Sequence, residues 1–86
     1  MAKVVIPALL RPLTGGVAEM HAAGSTLREV VADLVRQEPR LANRVIDAAG
    51  ILPEVMLVVD SVEARTQDDP VGPDSEVLIL PAIQGG

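Results

Sequence analysis

The sequence predicts one α+β domain in which a single main helix packs across a mixed sheet. Three observations carry that expectation. Leu27, Val30, Val31, Leu34 and Val35 recur at i, i+3, i+4, i+7 and i+8, the spacing of one apolar helix face. Runs rich in Val, Ile and Leu stand before and after that stripe, at residues 3–10, 55–59 and 76–80. The chain has 86 residues, of which 49% are hydrophobic, enough for one modest core and too many for a disordered chain.

The first run, residues 3–10, reads as a strand. Pro7 inside it lacks a ladder donor and favours an edge position or a bulge. Residues 11–16 read as a loop, in which Gly15 and Gly16 supply positive φ for a hairpin return. Residues 17–22 read as the returning strand, with Ala18 and Met20 on one face. Ser25 or Thr26 is placed to cap the helix, with Arg28 and Glu29 in its first turn. Arg28, Glu29, Asp33 and Arg36 oppose the apolar stripe, and Pro39 ends the helix after Glu38. Leu41, Val45 and Ile46 suggest a second short helical turn that stops near Gly50.

Residues 55–59 are apolar throughout and predict a central strand. Asp60 and Ser61 form a tight turn into a short, polar, edge-like strand at residues 62–65. Residues 66–75 form a loop containing Pro70, Gly72 and Pro73. The last strand, residues 76–80, is also expected to be central. If the first and last strands pair side by side, this order is that of a ubiquitin-like β-grasp. Residues 1–80 form the domain on this reading, and residues 81–86 a flexible C-terminal tail.

Composition excludes several functions. Phe, Tyr and Trp are absent, so the core relies on Val, Leu, Ile, Ala and Met. Base-stacking platforms for single-stranded nucleic acid are absent with them. The net charge is −5 with no Lys/Arg run, which disfavours phosphate backbones and anionic lipid. No cysteine is present, which removes disulfides, thiolate metal sites and thiol catalysis. The N-terminal apolar run is short and broken by Pro7, unlike a signal peptide or a membrane span. A cytoplasmic protein is expected, with no nucleic-acid or membrane partner.

The side chains offer little chemistry. His21 is the only histidine and reads as a half-exposed strand residue without a metal-site pattern around it. Asp68 and Asp69 lie in a Pro/Gly loop and read as turn formers. Ser61 and Ser75 have no histidine close in sequence. Gly15-Gly16 does not open a phosphate-binding loop, because no GxGxxG or GxxxxGK pattern follows. Met20 and Met56 read as core gap-fillers. No metal or cofactor site is expected.

Attention moves to "LPAIQGG", residues 80–86. Pro81 removes a ladder donor, and glycines carry the highest ordering cost, so residues 81–86 are expected to leave the sheet. Leu80 and Ile83 would then be apolar anchors for a partner groove, and Gly85-Gly86 would pass through a channel too narrow for a Cβ. A carboxylate becomes an acyl donor only after activation, and adenylation by ATP makes a mixed anhydride open to attack by sulfide or an amine.

These features together resemble the ubiquitin-like sulfur carriers (ThiS/MoaD-like). That group contains the thiamine-pathway carrier, the small subunit of molybdopterin synthase and a cysteine-biosynthesis carrier. The resemblance spans the chain. It is carried by "TLREVVADL" (26–34), "VMLVVD" (55–60) and "SEVLILPAIQGG" (75–86), while "IPALLRPLTGG" (6–16) looks most like the cysteine-biosynthesis branch.

The resemblance implies a sulfur carrier and not an enzyme. An E1-like adenylyltransferase/sulfurtransferase would adenylate Gly86 and convert it to a thiocarboxylate, consuming ATP on the partner. A sulfur-accepting biosynthetic enzyme would then take the sulfur. Gly85 and Gly86 match the reactive tail. Leu80, Pro81, Ala82, Ile83 and Gln84 match the partner-docking segment, although relatives often carry a second proline at the position of Ala82. Molybdopterin, thiamine and specialised-metabolite sulfur delivery use the same tail, and a protein modifier forming isopeptide bonds through Gly86 is a further alternative. Many relatives have an Asp-Gly-Asp turn before the last strand where this chain has Pro73-Asp74-Ser75. Asp74 tolerates the left-handed region, so the turn is expected to survive.

Overall fold

The computed structural model describes residues 1–82. Strands β1 (Ala2–Val5), β2 (Glu19–Ala22), β5 (Val55–Val59), β6 (Val62–Glu63) and β7 (Glu76–Pro81) form one sheet in the order β2-β1-β7-β5-β6. Strands β1 and β7 pair in parallel, and every other pair in that sheet is antiparallel. The first and last strands therefore lie side by side at the centre of a mixed sheet. Helix α1 (Leu27–Gln37) packs across one face, as the β-grasp order requires.

Alternation sorts the sheet into two faces. Val4 and Ile6, Leu57, and Val77 and Ile79 are fully or almost fully buried beneath Leu27, Val30 and Leu34 of α1. A core without aromatic rings is thus filled by interdigitated branched aliphatics. The helix starts where expected. Thr26 is the N-cap, and its Oγ1 accepts from the Glu29 N–H at 3.2 Å. Glu29 reaches back so that its Oε1 accepts from the Ser25 N–H at 2.8 Å. The loop ahead of β7 satisfies two more N–H groups of the first turn: Leu27 N donates to Asp69 O and Arg28 N to Gln67 O.

Several expectations are corrected. The first run does not continue as a strand to Leu10. Strand β1 stops at Val5, and residues Ala8–Thr14 coil into a 3₁₀ segment. Pro7 and Pro12 lack ladder donors, and Leu10 N and Arg11 N both bond to Pro7 O, so the apolar residues follow a helical turn instead. Nor is β1 an edge strand, because Pro7 lies beyond its end. Gly15 (φ 67°) and Gly16 (φ 88°) do turn the chain back toward β2.

The second helical turn is smaller than expected. It is a 3₁₀ turn at Pro39–Leu41, and Ile46 and Gly50 belong to a two-stranded hairpin of β3 (Ile46–Asp47) and β4 (Gly50–Ile51). Asn43 in the left-handed region (φ 60°) redirects the chain between them.

The turn before β7 survives by another route. Asp74 does not take positive φ; Ser75 N donates to Gly72 O, and Gly72 N donates to Ser75 Oγ at 2.9 Å. Ser75 Oγ in turn donates to Asp60 Oδ2 at 2.7 Å, which ties this turn to the Asp60-Ser61 turn.

The last strand runs through Pro81, which was expected to leave the sheet. Asp60 N bonds to Glu76 O and Ala82 N to Glu54 O, so the even-numbered residues of β7 direct their backbone groups to β5. Pro81 faces the other way, where β1 has already ended at the Val5–Leu78 pair. Its missing N–H therefore costs no ladder bond.

Candidate functional site

The candidate site is the C-terminal end of β7. Strand β7 is held by β1 up to Leu78 and by β5 up to Pro81, so its last residues project past β1 with one bonded edge. Ile79 points into the core at 2% exposure, Leu80 lies half-buried opposite Met56 on the other face, and Pro81 is exposed. Ala82 is half-buried, and its N–H donates to Glu54 O at 2.9 Å. Leu80, Pro81 and Ala82 are thus brought together on a fixed root. Ile83, Gln84, Gly85 and Gly86, the remaining expected site residues, lie outside the described residues.

A groove of about 590 Å³ opens beside this root. One wall is the 3₁₀ segment, with Leu9, Leu10 and Leu13. The other is the stretch entering β5, with Leu52 and Val55, and Ile79 to Ala82 form the rim. Asn43, Arg44 and Glu54 supply the polar margin. Both walls are pinned. Arg11 Nε donates to Ile6 O at 3.1 Å, and Thr14 Oγ1 bonds to Arg11 O and Val17 O. Across the groove, Leu52 N donates to Val45 O and Val55 N to Leu52 O. Sequence reasoning missed this groove; its one local signal was the Leu-Leu pair bracketed by Pro7 and Pro12.

Among the described residues the groove lining carries no nucleophile-and-base pair. His21 sits exposed on β2, where its carbonyl accepts from Gln37 Nε2. Asp68 pairs with Arg28 at 2.7 Å, and Asp69 caps its own loop by accepting from Arg65 N and Thr66 Oγ1. These acids act as turn and surface groups. Met20 packs against the core. Among the described residues no group of three or more His, Asp or Glu could hold a metal ion, and no helix is long and apolar enough to cross a membrane.

Carboxylates with depressed pKa values stand at structural junctions. Asp60 titrates below its ordinary 3.8 because Ser75 Oγ, and then the Glu76 N–H, donate to its charged form. Glu29 is lowered first by the Ser25 N–H and then by the Ser25 hydroxyl. Neither lines the groove.

Known proteins are similar to this chain in both sequence and architecture. The family model described as the ThiS family matches residues 4–86. The sulfur carrier protein CysO of Mycobacterium tuberculosis (strain ATCC 25618 / H37Rv) is 34% identical over 89 residues, covering 96% of each chain. A chain in the crystal structure of the Amycolatopsis orientalis BexX/CysO complex superposes with a TM-score of 0.90 at 25% identity, covering 100% of both chains. The crystal structure of Mycobacterium tuberculosis CysO superposes with a TM-score of 0.88 at 28% identity, covering 96% of this chain and 100% of that one. With a central β1–β7 pair, a helix across one face and a family match that runs through Gly86, the chain belongs to the ThiS family.

Proposed function

We propose that this chain is a sulfur carrier, with the C-terminal carbonyl of Gly86 as its reactive group, and that it serves cysteine biosynthesis. The observation that carries the proposal is the family match, which runs through Gly86. The CysO relatives support the choice of pathway.

The chemistry needs three steps. The Gly86 carboxylate attacks the α-phosphorus of ATP on an E1-like activating enzyme, and pyrophosphate leaves. Hydrosulfide, or an enzyme-bound equivalent, attacks the acyl-adenylate carbon and expels AMP, leaving a thiocarboxylate. Its sulfur then takes the place of the activated oxygen on the β-carbon of an O-activated serine on the acceptor enzyme, the C–O bond breaking and the activating group leaving with that oxygen. Hydrolysis of the resulting carrier–cysteine thioester releases the carrier and the thiol product. The carrier acts as a co-substrate. It binds no cofactor of its own on this reading; ATP belongs to the partner, and the reaction takes place in the cytoplasm.

The design of the root suits that role. The sheet holds the chain to Ala82, so a partner meets a rigid body carrying a short reactive end. Leu80, Pro81, Ala82, Ile83 and Gln84 would lie along the entrance of the partner's channel, and Gly85 and Gly86 would pass its narrowest part.

The test is turnover of the loaded carrier. Thiocarboxylated protein is mixed with the candidate acceptor enzyme and an O-activated serine. Formation of cysteine, with return of the carrier to its starting mass, supports the pathway. A stable thiocarboxylate with this acceptor assigns the sulfur elsewhere, and lysine-linked conjugates without free thiocarboxylate would mark a protein modifier.

A further inference from the structure

We propose that the groove beside the tail root seats an apolar side chain from the lip of the activating enzyme's channel, and that Leu9 is the residue this chain buries in that enzyme. The proposal rests on the sulfur-carrier reading and adds a contact that the tail itself does not supply.

Reach sets the geometry. Four residues lead from Ala82 to Gly86. An extended chain advances about 3.3–3.6 Å per residue, so four residues span at most about 14 Å. An enzyme that binds the Gly86 carboxylate must therefore bring its channel mouth over this end of the sheet. The surface it meets there is the groove, because Ala82 is on the groove's own rim.

The chemistry of that surface fits a protein lip. Leu10, Leu13, Leu52 and Val55 make apolar walls, and Asn43, Arg44 and Glu54 make a polar margin, the pattern of a contact core ringed by groups that exclude water. Leu9 is 78% exposed, the most exposed of the large hydrophobics among the described residues. Its backbone is also held in place. The 3₁₀ segment that carries it is fixed by the Arg11 and Thr14 hydrogen bonds, so burying Leu9 orders little that is not already ordered. The same segment forms one wall of the groove, which places an exposed leucine and an apolar recess on one approach path.

The activating enzyme is the occupant because it must seat the unmodified chain before any sulfur is loaded. Carrier concentration is varied in a thiocarboxylate-formation assay containing activating enzyme, ATP and sulfur donor. For Leu9→Ser we expect KM for the carrier to rise about tenfold or more, with kcat within about twofold, as loss of a binding contact requires. Leu9→Met should restore KM to near the wild-type value. Val62→Ser, at a residue 69% exposed on β6 and outside the groove lining, should change neither constant. Thermal melts matching wild type confirm that the variants are folded, as expected for an exposed position. A wild-type KM for Leu9→Ser, or a loss confined to kcat, overturns the groove proposal and leaves the sulfur-carrier reading intact. Failure of the wild-type chain to gain sulfur overturns both.

Discussion

The Ala82 N–H donates to the Glu54 carbonyl at 2.9 Å, so the sheet holds the chain past both Leu80 and Pro81. Pro81 permits this because its absent N–H faces the side where β1 has ended. The root of the tail is therefore a ladder position with a single replaceable bond.

Replacing that donor tests the root directly. Ala82→Pro removes the N–H, and we expect a loss of about 1 kcal/mol of stability, or about 4–8 °C in Tm. Ala82→Ser keeps the donor and should melt within about 2 °C of wild type. Thermal unfolding followed by circular dichroism reads both.

Gly24 is a sharper backbone requirement. Its φ is 149°, and a Cβ there would lie 2.7 Å from Val30 N, inside the first turns of α1. Gly24→Ala is expected to cost about 2–3 kcal/mol, because both the conformation and the contact are unfavourable to a side chain. Gly15 has φ 67° but open space around it, so Gly15→Ala should cost only about 1 kcal/mol, the left-handed strain alone. Urea midpoints at a common m-value order the two variants.

The Asp60–Ser75 junction predicts acid sensitivity. Asp60 is depressed in the folded protein by the Ser75 hydroxyl and then the Glu76 N–H. A lowered folded-state pKa means that the stabilisation is present above the unfolded value and is lost as pH falls through the folded one. Stability of the wild type should therefore decline as pH drops below the ordinary carboxylate range, with Glu29, Asp33 and Glu38 contributing in the same direction. In Asp60→Asn the decline should be shallower. Urea titrations at about pH 7 and about pH 3 measure the difference; an unchanged slope would remove Asp60 from the account.

The aromatic-free core predicts high sensitivity to single truncations. Leu34 is fully buried at 0% exposure between α1 and the sheet. Leu34→Ala should cost about 2–5 kcal/mol through lost burial and the cavity left behind, and equilibrium denaturation reads that loss.

Legibility from sequence followed the strength of local signals. The helix was readable because its stripe, the Thr26 cap and Pro39 agree with one another. Strands β5 and β7 were readable as apolar runs bounded by turn residues. The 3₁₀ segment was not, because Ala8, Leu9 and Leu10 look strand-like until Pro7 and Pro12 deny them ladder partners. The hairpin of β3 and β4 was hidden behind Leu41, Val45 and Ile46, whose spacing imitates a helical turn. Leu80, Pro81 and Ala82 were identifiable by their order after the last strand. The groove beside them was not, because residues 9–13, 52–55 and 79–82 meet only after the sheet has formed.

The most direct test of the central claim is the intact mass of the chain after incubation with activating enzyme, ATP and sulfur donor. We expect a gain of about 16 Da, one oxygen replaced by sulfur, and no gain in a folded variant lacking Gly86. A wild-type chain that keeps its original mass, or a Gly86 deletion that gains the same 16 Da or so, would contradict the assignment of Gly86 as the sulfur-bearing residue.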